Sequence, residues 1–265
     1  KEAVVRNGIV PESMKDKIVD EIVWRIPDNI NYLYKNDLML LDFMASNDWT
    51  RAVYFTSLSD IKNVLGIDKY LHQEGLAHRF IPVLASDYHQ DAGGVHIEGS
   101  YELLMSDDIR WGNLNQPDVA VDPESRRNLL FVKQAYMRLA QALVNRNQND
   151  SAIAVLDKCQ EFFPNEKIPY DLYMLAYPEI YYQAGAIEKG DELINKIIDN
   201  CLDDLRYYES LDTKFISYYG ENIRENLAMI NEMSNVAARA KRTELKMQLD
   251  NMLNQEFEKF YMHFE

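Results

Sequence analysis

The chain has 265 residues, 47% of them hydrophobic, enough for one large core or two smaller ones. Its 43 acidic side chains against 28 basic ones leave a formal net charge of −15, which disfavours nucleic acid and anionic lipid as partners. No run approaches the ~20 apolar residues that span a bilayer, and two cysteines are too few for a disulfide framework.

The chain opens on Lys1 with neither a methionine nor a signal-peptide pattern, and is expected to be an excised or processed piece. Glu21 to Ile26 alternates, with Ile22, Trp24 and Ile26 on one face, and reads as a strand stopped by Pro27. Asn36 is placed to N-cap a helix carrying Leu38, Leu41, Met44 and Ala45. Ala52 to Thr56 is an apolar run of strand type. A short helix is expected from Ser59 to Gly66 and another over Asp68–Glu74, with Gly75 as its stop. Phe80 to Leu84 is strand-like, and Pro82 places it at an edge or bulge. Residues 1–85 therefore read as a small α/β subdomain.

Residues 86–123 read as an irregular linker. Its first part, Ser86 to Gly99, is a polar loop that holds the metal-capable His89, Asp91, His96 and Glu98. Their spacing matches no zinc signature, so a solvated loop is the plainer reading. His72 and His78 flank Gly75 with no nucleophile motif beside them. Asp107-Asp108 and Asp203-Asp204 are neighbours in sequence and so diverge on a helix. No catalytic residue, metal or cofactor is assigned. The basic pairs Arg126-Arg127 and Lys241-Arg242 read as solvated helix faces.

From 124 to 265 the apolar spacing is helical. Leu139, Ala140, Leu143, Ala152, Leu156, Cys159 and Pro164 fall in the register of a tetratricopeptide repeat, a helix–turn–helix unit. Its hairpin runs from about Ser125 to Phe163. A second, from about Tyr170 to Asn200, aligns Tyr181 with Leu143, Ile194 with Leu156 and Ile197 with Cys159. Pro178 should bend its first helix or mark the start of it. Cys201 is placed past the end of the second helix, and a Cys159–Cys201 bridge is left open. Ile223, Leu227, Ile230 and Met233, then Leu245, Leu249, Met252 and Leu253, predict two C-terminal helices that cap the stack. The fold class is α+β, mainly α.

A tetratricopeptide fold lines its groove with the first helix of each pair. Carried over position by position, the candidate protein-binding groove holds Gln134, Met137, Gln141, Val144 and Asn145 from the first hairpin. Leu175, Glu179, Tyr182 and Gln183 follow from the second. Tyr182, Met137 and Gln141 are the expected anchors for an extended peptide.

Further stretches carry a resemblance. They are Glu2-Ala3-Val4 with Gly8 and Pro11, Tyr32 to Asp42, Asn47 to Phe55, and Gly75 to Phe80. Trp111-Gly112-Asn113 and the turn from Pro164 to Tyr170 complete the set. Together they resemble the C-terminal soluble region of large Bacteroidetes membrane proteins related to protein O-mannosyltransferases, of the GT-C type. The resemblance runs from the N-terminus to about Tyr208. It implies an absent, membrane-embedded N-terminal part that takes sugar from a polyprenyl-phosphate donor, so no catalytic residue carries over. It also implies that this segment lies on the periplasmic face of the inner membrane, without inserting into it. The expected role is a non-catalytic module that presents or recognises acceptor proteins. The rivals are a structural stalk or subunit-contact domain, and a small hydrolase or metal enzyme that uses the 86–99 loop.

Overall fold

The computed structural model describes residues 1–23, 31–56, 67–85, 93–116 and 118–261. These divide into two compact units, Lys1–Ile109 and Arg110–Glu265.

The first unit holds helices α1 (Glu2–Arg6), α2 (Lys35–Ser46) and α3 (Ile97–Met105), and strands β1 (Val53–Phe55), β2 (Leu71–Glu74), β3 (Ala77–Phe80) and β4 (Gly94–Val95). The sheet order is β1-β3-β2-β4; β3 pairs antiparallel with β1 and β2, and β4 runs parallel to β2. The register sets Phe80 opposite both Val53 and Leu71. Phe80 also stacks on Trp49 at 5.4 Å and joins Ile67, Tyr70 and Leu71 in one core cluster. A second cluster gathers Val4, Ile9, Val10, Ile18, Ile81 and Val83.

Several expectations for this unit are corrected. Asp68–Glu74 is not a helix: a 3-10 turn at Asp68–Tyr70 leads straight into β2. Gly75, at φ +65°, opens the two-residue β2–β3 turn, where a positive φ matches the twist of the strands. The N-cap of α2 is Tyr34 rather than Asn36, and Tyr34 N donates to Asp37 Oδ2 at 2.8 Å. Residues 94–105, expected within an irregular linker, supply β4 and α3. The strand expected over Phe80–Leu84 is not formed: Phe80 ends β3, and of residues 81–84 Val83 makes an isolated bridge with Ile18. The strand expected over Glu21–Ile26 is absent from its described part, 21–23; its remainder and the helix expected from Ser59 to Gly66 lie outside the described residues.

The second unit is built of helices, with no strand among its described residues. Asp122 N-caps α4 (Pro123–Asn145), accepting from Glu124 N at 3.0 Å and Ser125 N at 3.1 Å. Then follow α5 (Asn149–Phe162), α6 (Tyr177–Gln183), α7 (Ile187–Glu209), α8 (Thr213–Ile216), α9 (Gly220–Arg239) and α10 (Thr243–Phe260). Pro178 stands in the first turn of α6, where its missing N–H costs nothing, so it marks a helix start. Leu139, Ala140, Leu143, Ala152, Leu156 and Cys159 are all buried, as are Tyr181, Ile194 and Ile197 in the second hairpin. Cys201 lies inside α7, not past its end, and both cysteines are free and buried.

The two C-terminal helices form a third hairpin with the same turn as the other two. Each hairpin has three residues between its helices, and the middle one is left-handed: Asn147 at φ +59°, Gly185 at +87° and Lys241 at +59°. In each, the third turn residue donates back to the last turn of the first helix. Those bonds are Gln148 N to Leu143 O, Ala186 N to Tyr181 O, and Arg242 N to Ala237 O. The last helix, α10, buries Leu249 and Phe260 and turns Gln248, Asn251, Asn254, Gln255 and Glu258 to solvent. Met247, Met252 and Phe257 are exposed beside them, so the outer face is mixed polar and apolar.

Two substitutions test this packing. Ala152→Glu would bury a charge without a partner, and the expected loss is at least about 2 kcal/mol. For a unit of this size that lowers the melting temperature by roughly 5 °C or more. At Gly190, a Cβ would meet the Tyr182 ring at 2.6 Å, so Gly190→Ala should cost about 1 to 3 kcal/mol by overpacking. Thermal unfolding followed by circular dichroism checks both; melting unchanged in either variant would contradict the crossing described. The thiols give a separate test. Burial pushes both Cys159 and Cys201 up to about 12, so at pH 8 they are protonated and enclosed. Iodoacetamide should label neither in the native chain and both after denaturation.

Candidate functional site

The first helices of successive hairpins are linked by side chains, α4 packing on α6 and Arg239 of α9 reaching Glu179 of α6. One face of each stays open. On α4, Gln134 and Asn145 are exposed, and Met137, Gln141 and Val144 are half-buried. From the second hairpin, Leu175, Glu179 and Tyr182 are half-buried and Gln183 is exposed. Counting back from each left-handed residue, the matching places on α9 are Ala228, Asn231, Asn235, Ala238 and Arg239, all exposed. The strip therefore spans three helices rather than two.

Hydrogen bonds join the strip across the helices. Gln141 Nε2 donates to Gln183 Oε1 at 2.9 Å and to Asn145 Oδ1 at 3.2 Å. Arg239 grips Glu179 with two bonds, Nε to Oε1 at 3.0 Å and Nη2 to Oε2 at 2.8 Å, and reaches Glu232 at 2.9 Å. Bidentate geometry of this kind orients as well as attracts. The C-terminal helices thus extend this face instead of covering it.

Tyr182 is committed elsewhere. Its ring lies over Gly190, and its hydroxyl donates to Asp191 Oδ1 at 2.7 Å. Burial and that bond raise its phenol above the ordinary range. Asp191 in turn holds Arg242, so Tyr182 braces the third hairpin against the second. Met137 and Gln141 remain on the open face.

The first unit contains a different constellation. Glu74, at the end of β2, accepts from Tyr54 Oη at 2.6 Å and from Arg79 Nη1 at 3.2 Å, and meets His96 Nδ1 at 3.2 Å. Arg79 Nη2 also donates to Gly8 O at 2.5 Å. The carboxylate so joins β1, β2, β3, the start of α3 and the loop after α1. The close approach needs Gly99, because a Cβ there would sit 2.6 Å from His96 Nδ1 and 2.8 Å from Glu74 Oε1. The bond from His96, then those from Tyr54 and the charge of Arg79, outweigh burial and hold Glu74 down at about 2. Burial and the bond to Glu74 push Tyr54 up to about 12.

Residues singled out in sequence fall as follows. His96 is engaged by Glu74, and its Nε2 lies 4.0 Å from Glu98 Oε2. His89 and Asp91 lie outside the described residues. Among the described residues no group of three or more His, Cys, Asp or Glu side chains is placed to hold a metal. His72 is buried with Nε2 2.9 Å from Val83 O.

Residues 1–98 match the family described as TMEM260-associated domain 2. The similarity takes in nearly all of the unit built around Glu74 and none of the helical unit. No curated protein and no solved structure matches the chain.

Acid should separate the roles. Glu74 ionises at about 2 in the folded chain against an ordinary 4.5. A depressed carboxyl contributes stability that is fully present above 4.5 and is lost as pH falls toward 2. The urea midpoint of the first unit should drop between pH 5 and pH 2.5, and Glu74→Gln should lower it at pH 5 and flatten the pH dependence. An unchanged slope in the variant would remove Glu74 as the determinant.

Proposed function

We propose that this chain is a non-catalytic, protein-interaction segment of a membrane-embedded glycosyltransferase-related protein. Its helical unit recognises or presents acceptor proteins on the periplasmic face of the inner membrane. The match of residues 1–98 to TMEM260-associated domain 2 supports the context, since TMEM260 is a protein O-mannosyltransferase-related protein. Among the described residues no helix is long and apolar enough to cross a membrane, so the reading assigns the membrane-embedded glycosyltransferase part to another region of the same polypeptide.

One observation carries the binding role: exposed and half-buried residues at matching places on the first helices of three tetratricopeptide-like hairpins are linked by side-chain bonds. The strip is knit by the Gln141–Gln183 and Glu179–Arg239 bonds. A surface held in this way costs little further ordering when a partner arrives. The net charge of −15 adds a salt-sensitive rate advantage for basic or neutral acceptors.

The experiment is calorimetry of unglycosylated acceptor proteins against the parent chain and two tryptophan variants. Asn145→Trp places bulk on the strip, and Glu258→Trp places it on the outer face of α10. Asn145→Trp should weaken binding by about tenfold or more, since an obstructed central contact typically costs more than 1 kcal/mol. Glu258→Trp should bind like the parent. Equal binding by all three would move recognition off the strip. No binding of any acceptor would leave the stalk reading in front.

A further inference from the structure

A second surface of the helical unit uses none of the strip residues. α7 packs on α9, and four tyrosines meet where the chain passes from one helix to the other. Tyr208 and Tyr219 stack at 5.1 Å, Tyr207 lies edge-on to both, and Tyr218 stands edge-on to Tyr219 at 5.4 Å. Tyr218 is 82% exposed and Tyr207 55%, so the cluster forms an aromatic patch open to solvent. Tyr208 continues from it into a cleft of about 390 Å³ between α7, α9 and residues 169–171.

The cleft is lined by the carboxylates of Asp171, Asp203, Asp204 and Glu225 and, among the described residues, by no lysine or arginine. Two of these charges are already answered: Asp171 lies 3.7 Å from the buried Lys133 ammonium, and Arg206 holds Asp203. Asp204 and Glu225 have no cationic partner among the described residues. Burial raises the Asp204 carboxyl, and the bond from Asn226 only partly offsets it. Tyr208 supplies an independent sign. It is 9% exposed, yet its hydroxyl has no hydrogen-bond partner among the described residues, where a buried phenol ordinarily has one. Two carboxylates and a phenol oxygen, walled by rings, suit a cation that donates several hydrogen bonds. A bare metal ion is poorly served, since no group of three or more ligating side chains converges among the described residues. A guanidinium fits better. Its planar fork of N–H donors matches carboxylate oxygens, it stacks on aromatic rings, and it keeps its charge when desolvated.

We propose that this cleft and its tyrosine patch receive an arginine side chain of a partner polypeptide, with the guanidinium between Asp204, Glu225 and Tyr208 and the neighbouring partner residues on Tyr207 and Tyr218. The proposal rests on the protein-binding reading above for the nature of the partner, and on different residues for its site. It gives the chain's acidity a local purpose: charge complementarity is concentrated where the rings can hold the cation's flat face.

The test uses the full chain and a fluorescent, end-blocked peptide of Gly and Ser that carries one arginine beside one leucine. Anisotropy at low salt compares it with the same peptide bearing lysine, or citrulline, which keeps the shape of arginine without its charge. The lysine form should bind about threefold more weakly and the citrulline form about tenfold more weakly. Asp204→Asn combined with Glu225→Gln should erase the difference between arginine and citrulline. Tyr218→Ala alters a ring that is 82% exposed, so it leaves the core intact; it should weaken the arginine form about threefold and covers the case in which the double variant fails to fold. Asn145→Trp, on the strip, should bind the arginine form like the parent. Equal binding of the arginine and citrulline forms, or no saturable binding of the arginine form up to millimolar concentration, would overturn the proposal. Displacement of that peptide by calcium chloride but not by sodium chloride of equal ionic strength would also overturn it, in favour of a metal site. Binding of acceptor proteins but of no arginine peptide would remove this site and leave the protein-binding reading standing; if neither binds, both fall.

Discussion

The helical unit depends on one backbone constraint used three times. A residue held at positive φ between two helices reverses the chain in three residues and aims the second helix back along the first. Asn147 and Gly185 are residue types that adopt this conformation readily; Lys241 is not, and its side chain has no special means of easing the strain. The third hairpin holds that conformation through its surroundings. Arg242 beside it is gripped by Asp191, Arg239 by Glu179, and the Arg242 N–H returns to Ala237 O. The turns fix each hairpin, and the ion pairs Asp191–Arg242 and Glu179–Arg239 fix the third hairpin against the second.

The cores of the two units are filled differently. The helical unit buries small and branched residues at its crossings and places tyrosines between its layers, with Tyr136, Tyr177 and Tyr181 almost wholly enclosed. Each buried hydroxyl needs a partner. Tyr177 donates to Lys133 O at 2.7 Å, and Tyr181 to Asp157 at 2.8 Å. Lys133 is itself inside, with its ammonium 3.7 Å from Asp171, and burial lowers its pKa. Among the described residues the first unit has two small apolar clusters, with the polar group around Glu74 beside them.

Much of the helical unit was legible because its signals are local. The burial pattern from Leu139 to Cys159 and the start at Pro178 need only nearby residues to be read. In sequence the third hairpin shows only as two capping helices, because Lys241 stands where glycine or asparagine would announce the turn. The matching places on α9 are hidden for the same reason. In the first unit, β2 is hidden in the sequence because Leu71, His72 and Gln73 are buried alike, so no polar–apolar alternation marks the strand. Gly75 fits a helix end and a hairpin turn equally well. The constellation at Glu74 left no trace at all, since Tyr54, Arg79 and His96 are drawn from three separate stretches. No single short motif contains it; strand register brings the four together.

The Glu74 carboxylate also bears on how the two units are acquired. Its partners come from β1, β3, the start of α3 and, through Arg79, from Gly8 near the N-terminus. A half-built version of this unit would hold a desolvating charge with its donors still missing. Intermediates are therefore penalised, and the unit should assemble in one cooperative step with many distant contacts, which is a slow kind of folding. The hairpins of the helical unit close between neighbours in sequence and nucleate locally. One polypeptide thus joins a late, all-or-none half to an early, piecewise half, and during synthesis from the N-terminus the slower half emerges first.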